Sequence, residues 1–178
     1  MKATRIIVLA GPPCSGKSQL AGLLAQELGI VHLAMDDFRK RLMPDSDHRE
    51  EHRQIAYRAM HMAAGLLLER GFDVIIDATY IRTVHREELG QVALRAGSSI
   101  FLIECHVVPE EAAARFRSRG KGHAGIDLTE EIVSKLASNY PYCRKGLALE
   151  TGADSATCVR RIDEYVDSGR PLRPGDWS

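Results

Sequence analysis

The sequence predicts a single doubly wound α/β domain built on a five-stranded parallel sheet. Short apolar runs of β character alternate with longer segments of helical period along the 178 residues, as parallel strands joined by crossover helices do. The first of these runs is apolar throughout, like a strand buried on both faces, and leads straight into a glycine-bearing turn. With 44% hydrophobic residues the chain can bury one sizeable core, so one domain over residues 1–178 is expected.

RIIVLA (Arg5–Ala10) is the first strand, and Lys17–Leu28 the first helix, with Leu20, Leu23, Leu24 and Leu28 on one face and Gly29 at its end. IVHLAM (Ile30–Met35) follows as the second strand. Asp47–Arg70 reads as a long helix, apolar at Met60, Ala63, Ala64, Leu67 and Leu68 and stopped by Gly71. FDVIIDAT (Phe72–Thr79) is the third strand, and Thr83–Ala96 a helix with Leu89, Val92, Ala93 and Ala96 inward. SIFLIECHV (Ser99–Val107) makes the fourth. Pro109 suits the first turn of a helix to about Arg119, where its missing N–H is not needed. GKGHAG (Gly120–Gly125) has too many glycines for regular structure and is expected to be mobile. A short helix from Thr129 to about Asn139, a weak strand at Leu147–Glu150 and a last helix, Asp154–Val166, with Val159, Ile162 and Val166 inward, complete the domain.

Composition narrows the function classes. Lys plus Arg number 24 and Asp plus Glu 24, so no overall charge holds the protein along a nucleic-acid backbone or at an anionic membrane. Cys14, Cys105, Cys143 and Cys158 show no CxxC pairing and read as reduced thiols of a cytoplasmic protein. No apolar run approaches the roughly 18 residues of a membrane span, and IIVLA lacks the length and cleavage pattern of a signal peptide. The seven histidines show no metal-ligand spacing, so no zinc site is expected. Nothing here calls for an obligate protein partner.

GPPCSGKS fits G-x-x-x-x-G-K-[ST], with Gly11, Gly16, Lys17 and Ser18 at the required spacing between a strand and a helix. Consecutive backbone N–H groups through Cys14, Ser15, Gly16, Lys17, Ser18 and Gln19 make an anion nest, to which the new helix adds the positive end of its dipole. This is a P-loop. Lys17 is expected at the β- and γ-phosphates and Ser18 on Mg²⁺. Pro12 and Pro13 stiffen the loop, and the Cys14 side chain reads as a spacer.

A phosphate site alone does not distinguish a switch, a motor and a kinase. MDDFRKRLM follows the second strand, and ligands in a doubly wound sheet sit beyond the carboxyl ends of the strands. Asp36, or its neighbour Asp37, thus lies where an acceptor meets the γ-phosphate, with Arg39 one helical turn on. A carboxylate there takes the proton of an attacking hydroxyl, and the arginine steadies an anion. The competing reading is an N-capping aspartate on a solvated helix. Asp77 ends the third strand as a candidate for the Mg²⁺ shell, against a second cap or turn aspartate. Arg82, His85 and Arg86 could bind an anionic acceptor, but a solvated helix face is the commoner explanation for such charges. In ARFRSRGKGHAG, Arg115 and Arg119 share a helical face and lead into the glycine segment, as in an arginine-bearing lid over a nucleotide, over residues 119–139. Arg117 and Lys121 face solvent.

Together GPPCSGKS, MDDFRKRLM, VIIDAT and RFRSRG resemble the small P-loop kinases that include the kinase domain of phage polynucleotide kinase. More distantly the sequence is similar to chloramphenicol phosphotransferase, gluconate kinase and zeta-toxin-like kinases. The resemblance runs from Arg5 to Tyr140. It implies an adenylate-kinase-like sheet, ATP with Mg²⁺, Asp36 as general base, Arg39 on the acceptor phosphate or transferring group, Arg119 as lid arginine and Arg115 in support. Polynucleotide kinase has an acidic residue directly before the threonine that ends the third strand; here Ala78 stands there and Asp77 one place earlier. A phosphatase domain like that of the phage enzyme is not expected, and the neutral charge gives little support for extended nucleic-acid binding. The expected activity is phosphoryl transfer from ATP to a hydroxyl acceptor, a polynucleotide 5′-hydroxyl or a small molecule. The alternative is an ATP-hydrolysing switch without an acceptor.

Overall fold

The computed structural model of the protein describes residues 3–45, 49–118, 128–152, 154–173 and 175–177. Five parallel strands, β1 (Arg5–Ala10), β2 (Val31–Ala34), β3 (Val74–Ala78), β4 (Ser99–His106) and β5 (Leu147–Glu150), lie in the order β2-β3-β1-β4-β5. Seven helices complete the described fold: α1 (Lys17–Leu28), α2 (Met35–Leu42), α3 (Glu50–Glu69), α4 (Thr83–Ala96), α5 (Pro109–Ser118), α6 (Glu130–Ser138) and α7 (Ser155–Asp167). This is the doubly wound α/β arrangement that the alternating pattern predicts.

Strand β1 is central because both of its faces are covered. Ile6, Val8 and Ala10 enter one core with Val74, Ile76, Met60, Ala64 and Leu89, while Ile7 and Leu9 enter a second with Leu24, Ile75, Ile103 and Ile162. Burying each such aliphatic side chain contributes about 1.5–3 kcal/mol, and the sheet order puts the most apolar strand where burial is greatest. A third, small cluster of Cys14, Ala112, Val133 and Ala137 packs the P-loop against α5 and α6.

Several expected boundaries move. Met35 starts α2 and does not end β2, and the helix preceding β3 starts at Glu50; residues 46–48 lie outside the described part. Leu23, expected on the inner face of α1, is 39% exposed, and Ala21 takes its place beside Leu20 and Leu24. The glycine segment expected to be mobile lies outside the described residues, as do Arg119, Lys121 and most of the first half of the expected lid; α6 forms its second half.

On the α3 and α4 side of the sheet, His61, Tyr57, Tyr80, His85 and Trp177 form a buried aromatic layer. Burial first, and His85 second, lower the His61 pKa from 6.5 to about 4, so the ring is neutral at pH 7. Between pH 6.5 and about 4 the unfolded chain binds a proton at this position that the folded chain refuses. Stability therefore falls with falling pH through that window and levels off below it. At about 1.4 kcal/mol per unit of pKa the loss reaches about 3 kcal/mol. Urea denaturation between pH 4 and 7 is expected to show this slope for the wild type and to lose it in His61→Gln; parallel curves contradict the assignment.

Candidate active site

The strand register brings the functional segments to one edge. Leu9 pairs with Asp77 and Ala10 with Ala78, while Ala34 also pairs with Asp77, so the P-loop, the start of α2 and the end of β3 emerge side by side. The left-handed Gly16, at φ 83°, caps α1, and Cys14 is also left-handed at φ 63°. A side chain at Gly11 has no room: its Cβ would stand 2.7 Å from the Cys105 carbonyl oxygen and from Ser15 Oγ. Gly11 thus sets how closely the loop hugs β4. Ser15 is buried, and its hydroxyl has no hydrogen-bond partner. The Cys14 side chain packs against Ala112, Val133 and Ala137, consistent with a spacer.

Asp77 lies buried within β3, so the reading of a turn or cap aspartate fails. Burial pushes its pKa up, but His32, the Lys17 charge and the Ser18 hydroxyl together outweigh burial, and the carboxyl ends below its ordinary value. It is a carboxylate at neutral pH. His32 Nε2 stands 3.8 Å from Asp77 Oδ2, an ion-pair distance too long for a hydrogen bond. Asp77 Oδ1 is buried with no hydrogen-bond partner among the described residues. An orphaned buried carboxylate oxygen is costly unless a ligand satisfies it. Beside the Ser18 hydroxyl it offers the oxygen donors that Mg²⁺ takes, so the residues present fit that ion.

Across the edge, α2 has Ala34 as N-cap with no side-chain cap bond, so neither Asp36 nor Asp37 serves as the capping residue. Both carboxylates lie in the first turn, where the helix dipole favours negative charge. Asp36 is the one that meets Arg39: its Oδ1 stands 3.5 Å from Arg39 Nε, its own side chain 64% exposed and that of Arg39 7%. Arg39 Nε has no hydrogen-bond partner among the described residues, which leaves this buried donor free for a ligand. Tyr57 of α3 stands behind this pair, its hydroxyl 3.2 Å from Thr79 Oγ1. Burial pushes the Tyr57 hydroxyl up to about 12, with the Asp36 charge adding to the rise, so it remains a neutral donor.

Arg115 sits on the opposite side of the P-loop. Its Nη1 donates to the Cys14 carbonyl at 3.2 Å and Thr151 Oγ1 at 3.1 Å, and its Nη2 to Glu111 Oε1 at 2.6 Å. With Gly16, Gln19, Leu20, Ser118, Thr151 and Ser155 it lines a cleft of about 310 Å³. Arg119 lies outside the described residues. Arg117 pairs with Glu130 on the surface. The solvated face expected for the start of α4 holds for Arg82 alone, because His85 and Arg86 are buried. Thr151 and Tyr57 went unnoticed in the sequence; Thr151 follows β5 directly, and the strand-end rule points to it.

A family model described as AAA domain matches residues 6–141. The chain belongs to this family of P-loop kinase domains. An adenylate kinase of a Mycobacterium species is 31% identical to the kinase domain over 140 residues, covering 71% of this chain and 75% of that enzyme. The first curated relatives include an uncharacterized protein of Mycobacterium tuberculosis, 28% identical over 83% of this chain; the match spans 32% of its length. A Chloroflexus aurantiacus chain assigned as a kinase superposes with a TM-score of 0.79 at 20% identity, over 92% of this chain and 99% of that one. The APS kinase of Mycobacterium tuberculosis, solved with AMPPNP and APS, gives 0.73 at 23% identity, over 94% and 99%. At these identities the two structures speak for the fold.

Replacing Asp77 with Asn removes the charge from the orphaned oxygen while keeping its shape. Titration calorimetry with ATP is expected to show a loss of about 10–100-fold in the Mg²⁺-dependent part of the affinity, with metal-free binding little changed. An unaltered Mg²⁺ dependence removes Asp77 from the ion's shell.

Proposed function

We propose that this kinase domain transfers the γ-phosphoryl group of ATP to a hydroxyl acceptor, a polynucleotide 5′-hydroxyl or a small alcohol. One observation carries the reading: a solvent-facing carboxylate, Asp36, paired with a buried, under-bonded guanidinium, Arg39, across the sheet edge from the P-loop. An ATPase or switch needs neither group.

In this reading the amides of Cys14 to Gln19 and the α1 dipole hold the triphosphate, and Lys17 lies along the β- and γ-phosphates. Ser18 and Asp77 hold Mg²⁺, which when bound draws charge from the phosphate oxygens. Asp36 accepts the proton of the attacking hydroxyl as the O–P bond forms and ADP leaves. Arg39 neutralises anionic charge on the acceptor or the transferring group. Arg115 braces the P-loop from the nucleotide side, and the family resemblance assigns Arg119 to the transferring phosphoryl group. Residues 119–139 serve as the lid of a single domain over residues 1–178. All four cysteines are free thiols, which supports a cytoplasmic setting.

The adenylate kinase relative favours a second reading, with a nucleotide phosphate as acceptor. A phosphate is already ionised at pH 7 and needs no base, and the Asp36 carboxylate beside Arg39 would repel it. The hydroxyl reading uses both groups.

The test is transfer from γ-labelled ATP to a panel of 5′-hydroxyl DNA and RNA oligonucleotides, nucleosides, sugars, hydroxylated antibiotics and AMP. Asp36→Asn is expected to bind ATP as the wild type does and to lose transfer to the labelled hydroxyl by about 10²–10⁴-fold. Undiminished transfer by that variant removes Asp36 from the mechanism.

A further inference from the structure

Behind the acceptor face stands a set of buried groups that the proposed chemistry does not use. Tyr80 has a left-handed φ of 49°, a conformation that an aromatic residue keeps only when its surroundings impose it. Here they do. Its N–H donates to Tyr57 Oη at 2.9 Å, its hydroxyl lies 3.0 Å from His61 Nε2, and its carbonyl accepts from Arg86 Nε at 2.7 Å. Its ring lies 4.7 Å from that of Trp177, the only tryptophan of the chain.

Arg86 is a buried cation with its donors aimed at main chain. Besides the Tyr80 carbonyl, its Nη2 donates to the Pro141 carbonyl at 2.9 Å, and its guanidinium carbon lies 5.9 Å from the Trp177 ring. Trp177 is fixed in turn by its neighbours. The Leu172 N–H donates to the Ile100 carbonyl at 2.8 Å, Lys145 Nζ reaches Asp176 Oδ1 at 2.7 Å, and Cys143 Sγ donates to the Asp176 carbonyl at 3.1 Å. The residue before Tyr80 is Thr79, whose hydroxyl pairs with Tyr57, the tyrosine that feels the Asp36 charge, and whose carbonyl accepts from Tyr140. The C-terminal segment thus reaches the acceptor face through two side chains and one strained peptide.

We propose that Arg86 and Trp177 are positioning residues for phosphoryl transfer: by holding the Tyr80 peptide left-handed they set the Tyr57–Thr79 hydroxyl pair beside Asp36. Neither residue touches acceptor or nucleotide, and the inference rests on the hydroxyl-kinase reading above. Its signature is a selective loss on the acceptor side, since the described contacts of Arg86 and Trp177 fall on Tyr80 and Pro141 and not on the P-loop or Asp77.

The experiment uses Arg86→Gln and Trp177→Ala beside Arg86→Lys and Trp177→Phe, with the panel compound that the wild type labels as acceptor. In Arg86→Gln and Trp177→Ala the acceptor KM is expected to rise by about 10-fold or more, since small misplacements near the reacting groups are costly, with the ATP KM unchanged. Trp177→Phe keeps a ring on Tyr80 and restores the wild-type KM. By NMR, exchange of the Tyr80 amide, whose acceptor is the Tyr57 hydroxyl, accelerates in the same two variants while the amides of α4 keep their protection. If a truncating variant does not fold, Arg86→Lys, which keeps the charge but serves only one of the two carbonyls, carries the same test. A lowered folded fraction with both KM values unchanged overturns the proposal, as does a Tyr80 amide that exchanges at the wild-type rate. If the wild type labels no panel compound, the kinase reading falls and takes this proposal with it; unchanged acceptor KM values beside an active wild type overturn the positioning role alone.

Discussion

The parallel register of β1 and β3 is the constraint on which the site depends. Pairing Leu9 with Asp77 places a buried carboxylate beside Lys17 and Ser18, and burial by itself pushes its pKa up. It remains charged because the P-loop cation, the Ser18 hydroxyl and His32 surround it. A slip of one residue would turn Asp77 to the other face of the sheet and leave Lys17 without a counter-charge. Gly11 enforces the same geometry from the other direction, because any side chain there collides with the backbone of β4. Strand pairing and loop conformation thus jointly create one negatively charged oxygen without a donor, at the mouth of an anion nest.

The edge divides into a nucleotide side and an acceptor side that are built differently. On the nucleotide side, backbone and short side chains do the holding, and Arg115 ties α5 to the loop through the Cys14 carbonyl and Thr151. On the acceptor side the holding is done by an aromatic layer under β3 and α4, where Tyr57, Tyr80, His85 and Trp177 stack or meet edge to face. Such a layer is rigid, because each ring fills the space that would let its neighbour turn. It also excludes water from the Tyr57 hydroxyl, strengthening the electrostatics around it.

The sheet and the P-loop were legible in the sequence because their signals are local. The unbroken apolar run of β1, the glycine spacing of the loop and the strand ends that carry Asp36 and Asp77 each lie within a few adjacent residues. Met35 was misread as strand because an apolar residue after VHLA fits either period; the two aspartates behind it favour a first helical turn and decide the matter. Arg86 and His85 were read as solvated because their sequence neighbours are charged. Arg86 is buried against Trp177 and Pro141 and His85 against the Tyr57 ring, all distant in sequence, and no local pattern reports those contacts. Thr151 lies beyond the end of β5, where ligands gather, but a lone threonine after a four-residue strand forms no motif that marks it.

The most direct test of this account is the chemical nature of the phosphorylated product. Phosphorus NMR of the reaction of the full chain with Mg²⁺, ATP and the acceptor panel distinguishes a phosphate monoester on a former hydroxyl from a phosphoanhydride or free phosphate. The account predicts a monoester resonance that appears as ADP accumulates. A diphosphate formed on AMP, or free phosphate alone across the whole panel, would contradict it.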